Sequence, residues 1–70
     1  MMPNQPTISF NLIAKILDTS VGWVYSFAVK NEQRYVLWIN HTRHEQSELS
    51  ERDYFRFIED YKQEMRLSHL

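Results

Sequence analysis

The sequence predicts an α+β domain: a small three-stranded antiparallel meander with one amphipathic C-terminal helix packed on it, in the order βββα. Two observations carry this. Between Trp23 and Ile39 two stretches alternate apolar with small or polar side chains, the period of half-buried strands. Further on, Tyr54, Ile58, Tyr61 and Met65 recur at i, i+4, i+7 and i+11, which gives a helix one apolar stripe. The order αββα is the structural alternative, because the first apolar segment satisfies both periods.

A chain of 70 residues makes a single small domain. At this size folding buries only about 60% of the surface the unfolded chain exposes, so stability is marginal. There is no cysteine and only three histidines, so apolar packing or a partner subunit has to hold the fold. Two Trp, four Tyr and four Phe supply the means. Each such ring buries roughly 150 to 250 Å².

In chain order, residues 1–6 carry two prolines in a polar setting and read as a flexible arm. Residues 8–17 read as a strand or a short helix. As a strand, Ile8, Phe10, Leu12, Ala14 and Ile16 line one face; as a helix, Asn11, Lys15 and Asp18 form a polar stripe. The strand is preferred because its length matches the two segments that follow. A turn over Asp18–Gly22 comes next, with Gly22 free to take a positive φ.

Residues 22–40 read as a β-hairpin. A three-residue loop at Asn31, Glu32 and Gln33 would unite Trp23, Tyr25, Phe27 and Val29 with Tyr35, Leu37 and Ile39 on one face. Val24, Ala28, Val36 and Trp38 then share the other face. After a polar connector over residues 41–47, a helix is expected over 50–66, opened by Ser50 and Asp53 in the spacing of a capping box.

One alternative organisation joins the first two segments as a helix-turn-helix over residues 10–29. Ile13, Ala14 and Leu17 would hold the first helix, Asp18 to Ser20 the turn, and Val24 and Phe27 the second helix. The run Ser20, Gly22, Tyr25 resembles the DNA-reading segment of TetR-type repressors, a likeness that covers about fifteen residues. It departs from that pattern at Asp18, where glycine is usual, and at Thr19, where an apolar residue is usual. Only nine residues precede the first helix, and Val21 to Val29 contains no basic side chain. The resemblance implies a small DNA-binding regulator.

Other chemistry is sparse. His41, His44 and Glu45 could be read as a metal set, but no cysteine or HExxH spacing supports them, and a solvated loop is the expectation. No Gly-flanked serine or other poised nucleophile is present, so no enzyme and no cofactor are expected. Asn40, His41 and Thr42 spell a glycosylation sequon, which matters only in a secreted chain.

A formal net charge of −1 disfavours binding driven by phosphate contacts. The expected function is therefore a non-enzymatic protein-binding module: an adaptor, subunit, or stoichiometric inhibitor or regulator. Its partner is another protein or a second copy of itself, with no nucleic acid, membrane or small-molecule substrate inferred. The candidate contact residues are Val24, Val36 and Trp38 on the uncovered sheet face, and Phe57 with the acidic rail Asp53, Asp60 and Glu64 on the helix. No apolar run reaches bilayer length and the first residues lack the look of a secretory signal, so a cytoplasmic location is expected.

Overall fold

The computed structural model describes residues 5–67. Six elements follow one another as βααββα: β1 (Thr7–Ser9), α1 (Phe10–Leu17), α2 (Val21–Lys30), β2 (Leu37–Trp38), β3 (Glu48–Ser50) and α3 (Tyr54–Leu67). The domain is α+β with a three-stranded antiparallel sheet, ordered β1-β3-β2. It is mostly helical, with three helices among the described residues where the βββα reading expected one. Of the expected arm, residues 1–4 lie outside the described residues, and the carbonyl of Pro6 accepts from the amide of Glu51 at 3.0 Å.

The expected hairpin over residues 22–40 is replaced by α2 and the short β2. Helical spacing wins because it sends Val24, Phe27 and Ala28 inward together, whereas strand alternation would split them between faces. The ambiguous first segment resolves the same way. Phe10, Ile13 and Ala14 are buried at i, i+3 and i+4, while Leu12 and Ile16, assigned to the strand's inner face, are about half exposed. Only Thr7 to Ser9 are strand, and Ser9 ends that strand and caps α1 by accepting from the amide of Leu12 at 3.2 Å.

The helix expected over 50–66 is present, but its start differs. A single 3₁₀ turn, Glu51–Asp53, precedes α3, and Ser50 makes no side-chain cap bond. The capping box does not form because the Asp53 carboxylate is used elsewhere. It accepts from the amide of Val36 at 2.8 Å and lies 3.3 Å from the Arg56 guanidinium, tying the approach to β2 onto the start of α3.

The core lies between the sheet and the three helices. Leu49 is fully buried at the sheet's centre, paired with Ile8 on one side and Leu37 on the other. Phe57 is also fully buried and gathers three rings, with centroids 5.2 Å from Phe27, 5.0 Å from Tyr35 and 6.4 Å from Phe10. The first two contacts are edge-to-face, the arrangement that the aromatic quadrupole favours.

Tyr35 brings a polar group to the edge of this cluster. Its hydroxyl donates to the Asp60 carboxylate at 2.5 Å. Burial pushes its pKa well up; the hydrogen bond and the negative charge of Asp60 add to that, and Arg34 and Arg56 oppose it. A group whose folded pKa lies above its unfolded one contributes stability that is whole below the unfolded value and declines as pH rises towards the folded value. Stability is expected to fall above about pH 10, by at most about 1.4 kcal/mol per pH unit from this residue. Urea midpoints measured between pH 8 and 11 check this. An unchanged slope in Tyr35→Phe would assign the decline to other groups.

Candidate nucleic-acid interface

Three residues, Asp18 to Ser20, join α1 to α2, and the chain axis turns by 109° between them. Two helices at about 90 to 120° on a turn of three or four residues have the geometry of a helix-turn-helix; in the DNA-binding form of that motif the second helix enters the major groove. Local chemistry sets the turn. Asp18 takes the left-handed conformation, φ 53° and ψ 50°, and its amide bonds back to the carbonyls of Ala14 and Lys15. Aspartate is among the few residues besides glycine that visit this region, so it fills the role glycine usually has. Gly22, expected to supply a positive φ, has none and lies within α2. Ser20 then caps α2 by accepting from the amide of Trp23 at 3.2 Å.

The second departure from the motif also has a partner. The hydroxyl of Tyr61 on α3 donates to the side-chain oxygen of Thr19 at 3.0 Å. An apolar residue at position 19 would leave that buried tyrosine without this bond. The turn is thus fastened to α3 by a polar contact in place of an apolar one.

With Val24, Phe27 and Ala28 turned inward, α2 presents Gly22, Trp23, Ser26 and Lys30 to solvent. Trp23 is 61% exposed, unusual for so large an apolar side chain. Between Thr19 and Asn31 there is no acidic residue. Asn31 closes the helix by donating from its side chain to the carbonyl of Phe27 at 2.8 Å.

The loop between β2 and β3 stands beside α2, and Tyr25 holds it there. The Tyr25 ring stacks on the His44 imidazole with centroids 3.5 Å apart and planes within 7°. Its hydroxyl lies 2.7 Å from Nδ1 of His41. The loop is shaped from within as well. Asn40 Oδ1 accepts from the amides of Thr42 and Arg43 at 3.0 and 2.8 Å, an Asx turn, and Ser47 Oγ accepts from the amide of Asn40 at 2.9 Å. Arg43, between the two histidines in sequence, is exposed and makes no ion pair among the described residues.

The residues chosen from sequence as protein contacts are placed otherwise. Val24 and Phe57 are fully buried and Asp53 is 6% exposed, so these three are closed to a partner in this fold. Helical winding puts Val24 in the core, and the ring cluster covers Phe57. Val36 and Trp38 are half-buried, and Trp38 pairs with Glu48 in the sheet. The acidic rail is spent on neighbours: Asp60 lies 3.2 Å from Arg34 and Glu64 3.4 Å from Lys30. His41 and His44 are engaged by Tyr25, and no group of three or more His, Cys, Asp or Glu side chains among the described residues is placed to hold a metal ion. No single helix among them is long and apolar enough to cross a membrane.

Comparison with protein-family models, with curated proteins and with solved structures finds no match. The sequence reading placed Trp23 on the covered face of a hairpin and gave Ser26 and Arg43 no contact role, whereas Trp23, Ser26 and Arg43 are all exposed. Their signal was the helix-turn-helix spacing, which places positions 22, 23 and 26 on the outer face of the second helix.

Proposed function

We propose that this domain binds duplex DNA, with α2 in the major groove and the β2–β3 loop against the adjoining backbone. The observation that carries this reading is the 109° crossing of α1 and α2 on a three-residue turn, with Gly22, Trp23 and Ser26 of α2 exposed to solvent. The acid-free run over α2 supports it, since the helix itself carries no negative side chain; Glu64 of α3 stands beside its last residue, Lys30. The net charge of −1 has its source mainly elsewhere. Seven of the nine acids lie from Glu45 to Glu64, Asp18 and Glu32 being the two outside that span.

A small cationic set implies a shallow salt dependence. Lys15, Lys30 and Arg43 are the exposed cations on the two helices and the loop. Each neutralised phosphate contributes about −0.9 to the slope of log K against log salt, so a slope of about −3 is expected. Duplexes retained from a random pool at low salt, followed by anisotropy titrations over a salt series, measure it. Retention of no duplex at low salt would remove the proposal.

Protein contact remains the second reading, favoured by a specific observation. Phe55 on α3 is 80% exposed, and a shallow groove of about 410 Å³ between the end of α1 and α3 is lined by Ile16, Leu17, Tyr61 and Met65 together with Asp18, Thr19, Lys62 and Arg66. A second copy or another protein would use these rather than the buried Val24 and Phe57. Sedimentation over a concentration series tests the second-copy form, which a purely monomeric profile would exclude.

A further inference from the structure

We infer that the duplex recognised is rich in A·T pairs, read in the major groove through thymine methyl groups against Trp23 and in the adjoining minor groove by Arg43. This rests on the DNA-binding reading and adds the class of sequence. The argument begins with what the outer face of α2 lacks. Strong readout of guanine needs a bidentate Arg or Lys, and readout of adenine needs Asn or Gln. The exposed side chains near the start of α2 are Gly22, Trp23 and Ser26, and none of them makes such a fork. Lys30 lies at the far end of the helix, 3.4 Å from Glu64.

What the face does offer is an apolar plane. The Trp23 indole is 61% exposed, and Gly22 beside it adds no side chain, so nothing on that neighbour screens the ring. A β-carbon at Gly22 would meet only the Ser20 hydroxyl, at 3.8 Å, so the glycine is not there to relieve crowding. The apolar feature that base pairs display in the major groove is the C5 methyl of thymine. Desolvating Trp23 against that methyl is the sequence-dependent contact this surface can make.

The loop leads independently to the same bases. Arg43 lies in sequence between His41 and His44, both of which engage Tyr25 on α2, so the backbone that carries it is anchored beside that helix. The Asx turn on Asn40 sets the backbone beneath it. With α2 in the major groove, an exposed guanidinium on the flanking loop is within reach of the neighbouring minor groove, and A-tracts narrow that groove and deepen its negative potential. The major-groove and minor-groove contacts therefore select for the same composition.

Anisotropy titrations of the full chain use four duplexes of equal length: an A·T-rich one, the same with every thymine replaced by deoxyuridine, a G·C-rich one, and the G·C-rich one with inosine for guanine. Deoxyuridine removes only the methyl groups, and inosine removes only the minor-groove amino group. The A·T-rich duplex is expected to bind best. The uracil form should lose about fourfold for each methyl withdrawn from Trp23, the change that ~0.8 kcal/mol per buried methyl-sized group gives. Trp23→Ala should abolish that difference, and the gain from inosine should vanish in Arg43→Ala. Both side chains are exposed, so both variants should keep the wild-type circular dichroism. Equal affinity for the A·T-rich and G·C-rich duplexes would overturn the inference while leaving DNA binding intact. Binding to none of the four at low salt would overturn the DNA-binding reading itself.

Discussion

Replacing Phe57 by alanine is expected to unfold a large fraction of the protein at room temperature. Phe→Ala substitutions in a packed core cost about 3 to 5 kcal/mol, the lost transfer energy plus the cavity left behind. Phe57 has no exposed surface and meets Phe10, Phe27 and Tyr35, which come from α1, α2 and the segment leading to β2. Its removal therefore loosens all of these at once. A domain of this length has a total stability on the order of 3 to 10 kcal/mol. The cost is thus comparable with the whole. Urea unfolding followed by tryptophan fluorescence measures it, and a loss under about 1 kcal/mol would mean that the surrounding rings close the cavity or that the cluster is looser than described.

The second large effect concerns binding. Ser26→Asp places a carboxylate on the exposed face of α2, beyond the first turn, in a stretch with no acid of its own. If this face lies in a groove between phosphates, duplex affinity is expected to fall at least about 100-fold, roughly 2.7 kcal/mol. The folded state should hardly notice, because exposed substitutions away from caps and core usually change stability within about 0.5 kcal/mol. The pairing of these outcomes is diagnostic. A stable Ser26→Asp variant that binds duplex DNA as the wild type does would place the function elsewhere, and a protein contact made through Phe55 would survive this change.

The α+β class and the C-terminal helix were legible because the stripe Tyr54, Ile58, Tyr61 and Met65 fits no other period. The stretch over residues 10–30 was not, because its residues are ones that strands favour and their alternation is regular. What decides it is tertiary: Ile13, Ala14, Val24, Phe27 and Ala28 reach a common core only when wound as helices. The helix-turn-helix spacing was visible, and its two departures read as defects. Each is a working part, Asp18 through its left-handed backbone and Thr19 through the phenol of Tyr61. That second partner lies 42 residues away, a distance over which local pattern carries no information. The contact residues chosen on the hairpin model, Val24 and Trp38 foremost, followed from its faces and moved with them.

The bond between Tyr61 and Thr19 also bears on the order in which the protein is made. Synthesis runs from the N-terminus, so α1 and α2 leave the ribosome long before α3. Until then the turn lacks its fastening, Phe57 is absent from the ring cluster, and β1 waits for β3, its neighbour in the sheet. Contacts that span most of a chain repay their loop-closure entropy only when the last of them can form. The core that supports α1 and α2 is therefore completed only once α3 has been made.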